Sequence, residues 1–449
     1  MNATGTRLAA GVMTGTSLDG ADAALVRLQG HGRTLRADCL FHHAEPFEPG
    51  LRERLKAMAD GEPASAADFA HAGRSLGSFY THALARLFQQ ATMSDSDVLE
   101  QVALIACHGQ TVWHEPPPES TPPPEVTPVL CSEPGSVSPV STDRPGLSWQ
   151  LFDPWPVARR FGVPVGYDLR GADLIAGGQG APITPTSDPA LFTHRVGAER
   201  YVVANLGGVC NLTWAGTAGD PKSAGEPGSA HPVIAEGSST VFGRDVGPCN
   251  LLLDGLSAAL FGRAYDEDGR LAQRGAARPA WVERLRGSID RACAGHGSLG
   301  REQFSPGYAS SLARDLLGGS PDTARESDRC AVLASAVDAA AQRIVEACGA
   351  HPPWIGSPWV LAGGGVRNAA LVSAIRQAAG VRGAGVRISD ELGVPAEARE
   401  AAGFAVLGAM SLDGVPITHG GLTGADRPGA AGAWVNVTRP GAHLARAGE

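Results

Sequence analysis

Six carboxylates set in or beside glycine-rich turns are where this chain could do chemistry. Asp19 and Asp22 lie in the run Gly-Val-Met-Thr-Gly-Thr-Ser-Leu-Asp-Gly-Ala-Asp that spans 11–22, beside Thr14, Thr16 and Ser17. Glycine lets backbone N–H groups approach a phosphate closely, and neighbouring carboxylate and hydroxyl oxygens suit the Mg²⁺ that accompanies a nucleotide. A polar surface hairpin would use the same residue types. No Gly-Lys-Ser/Thr follows, so this is not a Walker loop, and it is not a dinucleotide fingerprint. Four further turns of this kind span 176–182, 205–211, 244–250 and 362–368. Turns spread over most of the chain suggest a nucleotide held between two halves of a protein that transfers its phosphate.

The other carboxylates are Asp168, Asp173, Asp245 and Glu400. Phosphoryl transfer to a hydroxyl or to water needs a base beside the nucleophile, and any of the four could supply it. Asp245 precedes Val-Gly-Pro-Cys-Asn on a tight turn at an expected helix start, where Asp also serves as a cap. Glu400 lies on a helical pattern, which by itself reads as a solvated face. Arg170, between two Asp residues, either neutralises them or grips a substrate carboxylate in bidentate fashion. His108-Gly-Gln-Thr111 offers donors and acceptors for sugar hydroxyls, or a packed histidine after a buried strand.

The elements that must position these residues alternate between strand and helix, which predicts a mixed α/β fold. The opening reads as a hairpin closed by the acidic turn. The stretch 48–90 is helical in character, and 102–106 is a short buried strand that delivers His108 at its end, where ligands sit in open α/β sheets. Strands are expected at 163–167 and 359–362, a hairpin at 201–214, and helices at 248–261 and 330–348. The segments 115–145 and 216–230 change to Pro, Ser, Thr, Gly and Glu, a composition too poor in apolar residues to order itself.

With 449 residues the chain has room for two domains, and its formal charge of -9 argues against a general nucleic-acid binder. No apolar run approaches the roughly 18 residues of a membrane helix, so a cytoplasmic protein without membrane partners is expected. The eight cysteines include no Cys-x-x-Cys pair and read as small buried side chains.

In this order the motifs resemble those of the anhydro-N-acetylmuramic acid kinases, within the sugar kinase, Hsp70 and actin superfamily. The resemblance rests on 11–22, 108–111, 168–182, 205–213, 245–250, 265–272, 300–302, 363–368, 400–404 and 423–425. It implies two actin-like, ribonuclease-H-like domains with ATP and Mg²⁺ in the cleft between them. The first would span 1–160 and carry the 115–145 insertion, with the segment from about 400 to 449 packing back on it. The second would span 161–449. The implied reaction converts 1,6-anhydro-N-acetylmuramic acid, water and ATP to N-acetylmuramic acid 6-phosphate and ADP, in cell-wall recycling.

By motif position Asp245 would be the base, Glu400 would sit near the reacting groups, and Asp173 would be the second choice of catalytic carboxylate. His108, Gln110, Thr111, Asp168 and Arg170 would hold the sugar. ATP would contact Gly15, Thr16, Ser17, Leu18, Asp19, Gly20, Ala21 and Asp22, then Gly207, Gly208 and Asn211, then Gly363, Gly364, Gly365 and Asn368. Asp19 and Asp22 would hold Mg²⁺, and a homodimer would be unsurprising. The chain departs from the family pattern at Phe152, where a glycine is expected, and at Val246 and Cys249, where Thr and Gly are expected beside the base. Those departures leave open a kinase for another sugar, or a nucleotide-binding protein without turnover.

Overall fold

The computed structural model describes residues 5–15, 18–117, 146–217, 233–234, 239–294, 299, 303–349, 354–418, 420–425, 429 and 431–437. Thr16, Ser17, the segment 118–145, most of 216–230 and the motif at 300–302 lie outside the described residues.

The chain opens with an antiparallel meander, β1 (Thr6–Met13), β2 (Gly20–Gln29) and β3 (Arg36–Pro46). Helices α1 (Pro49–Ala59) and α2 (Ala66–Thr92) follow, then β4 (Val102–His108), parallel to β1. The single helical stretch expected over 48–90 is thus two helices. Gly61, at φ 78°, ends the first, and Ser65 opens the second by accepting from the Asp68 N–H in a capping box.

A two-stranded sheet, β5 (Gln110–Glu115) with β6 (Leu147–Leu151), leads through α3 (Trp155–Phe161) to β7 (Val165–Tyr167), parallel to β4. After α4 (Asp188–Val196) come β8 (Arg200–Leu206), β9 (Val209–Thr217), the short β10 (Val233–Ile234) and β11 (Ser239–Pro248). Helices α5 (Asn250–Phe261), α6 (Pro279–Cys293) and α7 (Glu326–Gly349) precede β12 (Trp359–Ala362), parallel to β8. Helix α8 (Ala369–Gly380) leads to β13 (Val386–Ile388), parallel to β12, and α9 (Arg399–Leu412) precedes β14 (Ala433–Val435).

The first sheet runs β3-β2-β1-β4-β7-β14 and the second β10-β11-β9-β8-β12-β13. From β3 to β7, and again from β11 to β13, an antiparallel meander is extended by two parallel strands from its first member. The same α/β unit is therefore built twice, which is the two-domain, ribonuclease-H-like organisation of actin-type proteins. Strand β7 belongs to the first sheet although it lies beyond the division expected at residue 160. Val165 is fully buried there and its backbone pairs with β4. Strand β14 pairs antiparallel with β7, which returns the C-terminal chain to the first sheet.

Strand β1 explains the layering. Leu8, Ala10 and Val12 join one core with α1, α2 and α3, whereas Ala9 and Met13 join another with α9 and α4. That period of two marks a strand covered on both faces. Strand β8 repeats it, with Tyr201 and Val203 in the core shared with α9 and Val202, Ala204 and Leu206 in the outer core under α5, α6 and α7. The stack is helices, sheet, a thin layer of α9 and α4, sheet, helices. Among the described residues no helix is long and apolar enough to cross a membrane.

Candidate active site

The parallel strands β1, β4, β7, β8 and β12 deliver Thr14, His108, Asp168, Asn205 and Gly363 at or just beyond their C-terminal ends, where ligand crevices form in open α/β sheets. On the second sheet Asn205, Asn211 and Asp245 are direct cross-strand neighbours on β8, β9 and β11. Cross-strand neighbours share a face. Asn205 has the parity of Tyr201 and Val203, so this row lies on the face turned towards the first sheet. Asn205 Nδ2 donates to Glu400 Oε1 at 3.2 Å, which adds the first turn of α9 to the row.

Glu400 is not on a solvated face. Eleven of the fourteen α9 residues are buried, Arg399 and the unbroken run from Ala401 to Met410, because the helix lies between the two sheets. Burial pushes the Glu400 carboxyl above its ordinary range. Arg399, Arg170 and the Asn205 bond favour the anion but do not offset it, and the Asp22 carboxylate adds to the rise. Arg399 is itself held in a fully buried bidentate pair with Asp188, its Nε donating to Oδ1 at 2.9 Å.

Arg170 is the cation on which the expected residues converge. Burial lowers its pKa, opposed by Glu400, Asp245 and Asp173 in that order. Its Nε donates to His108 Nε2 at 2.9 Å, and its Nη1 to the Gly180 carbonyl at 2.6 Å. His108 accepts at Nε2, so a neutral ring carries its proton on Nδ1. Burial and then the Arg170 charge hold its pKa well below the ordinary histidine value. Its ring packs on Phe404, one turn along α9 from Glu400, at 4.7 Å between centroids. Gln110 accepts from Thr14 Oγ1 at 3.2 Å and Tyr80 donates to the His108 carbonyl at 2.6 Å, so β1, β4 and α2 hold the wall expected to bind sugar. Thr111 is partly exposed on β5 beside that wall.

Several expected residues have another explanation. Asp173 is fully buried and acts as a clasp: Gly180 N donates to Oδ2 at 2.7 Å and Thr423 Oγ1 to Oδ1 at 2.6 Å. A Cβ at Gly178 would lie 2.3 Å from Asp173 Oδ2 and one at Gly180 2.9 Å from Leu174 Cδ2, so these two glycines make room for neighbouring side chains. Asp168, exposed at φ 50°, accepts from Gly171 N at 3.2 Å and so braces its own turn. Asn368 accepts from Leu371 N and caps α8. The carbonyls of Gly207 and Gly208 accept N–H groups of Asn250, Cys249 and Leu251, satisfying donors at the start of α5. Gly363 donates its N–H to Ala396, and a Cβ at Gly365 would lie 2.7 Å from Leu206 Cβ, whereas one at Gly364 would meet nothing within 4 Å.

In the first turn, Gly20 and Ala21 are strand residues of β2, and a Cβ at Gly20 would lie 2.2 Å from the Glu45 carbonyl oxygen. Leu18 is buried, and its carbonyl accepts from Arg52 Nε at 2.8 Å. Asp22 Oδ1 bonds His42 Nε2 at 2.8 Å, while Asp19 stands close enough to Asp254 of α5 that burial and then Asp19 push the Asp254 carboxyl up to about 7. Among the described residues no group of three or more His, Cys, Asp or Glu side chains could hold a metal. Asp19 and Asp22 are the carboxylates on which a hard ion such as Mg²⁺, which takes one or two protein carboxylates, would rest. Asn205 Oδ1 and Asn211 Oδ1 are buried acceptors without a partner among the described residues, which fits a ligand that donates hydrogen bonds into the row.

The sequence names the turn from 205 to 211 without marking Asn205 as a site residue, places Thr14 beside the acidic turn without its Gln110 partner, and does not point to Tyr80, the His42–Asp22 contact or the Arg399–Asp188 pair. The polar Asn205 closing an apolar strand was a readable signal. The partners of the other four are set by tertiary contacts.

Distant likenesses to solved structures include the activator of 2-hydroxyisocaproyl-CoA dehydratase from Clostridium difficile with bound ADPNP, at 10% identity and TM-score 0.40, covering 90% of this chain and 95% of that one. A ROK family glucokinase from Streptomyces griseus in complex with glucose and AMPPNP has 13% identity and TM-score 0.34, covering 89% and 98%. At those scores neither adds to the assignment. A family model described as anhydro-N-acetylmuramic acid kinase matches residues 7–127, 129–224 and 228–436. A protein of that name from Synechococcus sp. (strain WH7803) is 34% identical over 430 residues, 95% of this chain and 98% of the relative. Another from Salinibacter ruber is 32% identical over 427 residues, 93% and 94% of the two chains. Identity runs through both sheets and along nearly the whole of each relative, and the chain belongs to the anhydro-N-acetylmuramic acid kinase family.

Proposed function

We propose that the protein uses ATP and water to convert 1,6-anhydro-N-acetylmuramic acid to N-acetylmuramic acid 6-phosphate and ADP, a step of cell-wall recycling in the cytoplasm. The observation that carries this reading is the row Glu400, Asn205, Asn211 and Asp245 on the inner face of the second sheet, with Arg170 of the first lobe feeling both end carboxylates. Asp245 removes a proton from a water whose oxygen attacks the anomeric carbon. The C1–O6 bond of the bridge breaks, and O6 takes the γ-phosphoryl group as ADP leaves. Asn205 and Asn211 orient the groups between the two carboxylates. His108, Gln110, Thr111 and Arg170 hold the sugar, with the guanidinium matched to its lactyl carboxylate.

The open face at Gly364 and the turn from Gly15 to Asp19 suit the nucleotide. Asp19, with Asp22 beside it, would hold Mg²⁺ against the phosphates, where the ion neutralises developing charge.

The departures from the family pattern are compatible with the same substrate. Val246 and Cys249 are buried, and Val246 belongs to the outer core beneath α6 and α7, away from the inner face. The Phe152 ring packs on Tyr80 and Tyr167, with centroids 5.3 and 6.2 Å apart, so the aromatic core absorbs its bulk.

A coupled ADP-release assay with the anhydro sugar, the product checked by mass, tests the reading. Asp245→Asn should fold and bind ATP while losing about 10²–10⁴-fold in kcat, the usual worth of a positioned base. Wild-type turnover in that variant would refute the assignment of the base.

A further inference from the structure

The residue after the base is a β-bulge. Asp245 pairs with Asn211 and Gly247 with Cys210, so Val246 is an extra residue opposite no partner. Bulges beside active sites re-aim a side chain, and they need something to fix the unpaired peptide. Here Arg343 of α7 supplies it. Its Nε donates to the Val246 carbonyl at 2.6 Å, and its Nη1 is anchored by Asp290 of α6. A Cβ at Gly247 would lie 2.7 Å from Arg343 Nε and 2.9 Å from Cδ, so the side chain lies flat against the bulge and requires glycine there. The Arg343 charge is also felt by Arg244, on the other side of the base. Asp245 Oδ2 in turn accepts from Leu299 N at 3.0 Å, so the carboxylate and the following carbonyl are each tied to a different segment.

We propose that Arg343 is a positioning residue for the base: through the Val246 peptide it sets the direction in which Asp245 leaves β11. Val246 is apolar and turns into the core, so the support of the turn comes from the backbone and from α7. The proposal rests on Asp245 being the base.

The test measures kcat and KM for ATP and for 1,6-anhydro-N-acetylmuramic acid in Arg343→Ala, Arg343→Lys, Asp290→Asn and Asp245→Asn. A misplacement of about 1 Å costs up to about 10²-fold, so Arg343→Ala should lose about 10- to 100-fold in kcat with both KM values within about threefold. Arg343→Lys keeps a donor for the Val246 carbonyl and should recover most of the loss. Asp290 is exposed and its substitution does not threaten the fold; Asp290→Asn, which loosens the anchor, should cost a smaller, several-fold part of kcat. Should Arg343→Ala not fold, the Lys and Asp290 variants carry the test. A kcat within twofold of wild type in Arg343→Ala, or a loss confined to KM, overturns the proposal while an inactive Asp245→Asn leaves the base in place. An active Asp245→Asn overturns both.

Discussion

Replacing Gly11 by Ala should disable the enzyme from a position that touches no substrate. Gly11 lies in β1 where α9 crosses it, and an added Cβ would lie 1.9 Å from the Ala401 carbonyl oxygen and 2.6 Å from Ala405 N. Ordinary contact is about 3.5 Å, so strand and helix must part by roughly 1.5 Å. Both clashing groups are backbone, which cannot swing aside as a side chain would. Sliding is blocked as well. A Cβ at Gly408 would already lie 2.6 Å from Ala106 Cβ, and one at Gly403 2.7 Å from Ser187 Oγ, so the helix is boxed between small residues. Overpacking of this kind costs about 1–3 kcal/mol and sometimes more. Glu400 precedes Ala401 and must move with it, and a shift of about 1 Å at a reacting group is worth up to about 10²-fold in rate. Gly11→Ala should therefore unfold at lower urea and lose about 10²-fold in kcat in the ADP-release assay. Gly364→Ala is the control: its Cβ meets nothing within 4 Å, so stability should hold and only the KM for ATP should rise. A Gly11→Ala enzyme within about threefold of wild-type kcat and with an unchanged urea midpoint would refute the reasoning.

Asp188→Asn leaves Arg399 buried without its counter-charge, and breaking such a pair costs about 3–5 kcal/mol, read as a large drop in urea midpoint. Glu400→Gln should abolish or sharply reduce turnover yet stabilise the fold at neutral pH. A carboxyl whose folded pKa is raised by burial loses stability as pH rises through that pKa, so the advantage of Gln should vanish at low pH in urea titrations. At Asp413 burial opposes ionisation, but bonds from Arg7 and from Gly32 N, with the nearby charges, hold the pKa below its ordinary value. Its contribution is present above the unfolded carboxylate range and is lost as pH falls through the depressed pKa. Asp413→Asn should thus cost about 1–3 kcal/mol at neutral pH, with a gap that closes in acid.

The sequence was most legible where backbone need and chemistry coincide. Glycine turns follow the ends of β1, β8 and β12 as read, and period-two burial at β1 and β8 accompanies their apolar runs. What the turns did not reveal is why each glycine is there. Gly178 makes room for Asp173, Gly20 for the Glu45 carbonyl and Gly247 for Arg343, and none of these neighbours is within sight of a local motif. Asp173 looked catalytic because its fixed partner Thr423 lies 250 residues away. Glu400 looked solvated because a helix rich in Ala and Gly has no apolar stripe to read, although small side chains are what let it sit between two sheets. The duplicated sheet was legible only through the family resemblance, since the halves share strand order and direction and no recognisable repeat of residues.

Helix α9 shows why the site should respond to distant changes in packing. Its small residues lie against β1 and β4 of the first lobe, its Arg399 is paired with Asp188 of α4, and its Glu400 is bonded to Asn205 of the second lobe. A carboxylate on a loop could relax independently of the core. One at the start of a helix wedged between two sheets takes its position from both lobes at once, and close packing transmits a misfit instead of absorbing it. The same reasoning applies on the opposite side of the row, where the peptide after Asp245 is tied to α7 and α6. The two end carboxylates are thus placed by different helical layers, so substitutions in α9 and in α7 should alter kcat independently, and their effects should combine additively in a double variant.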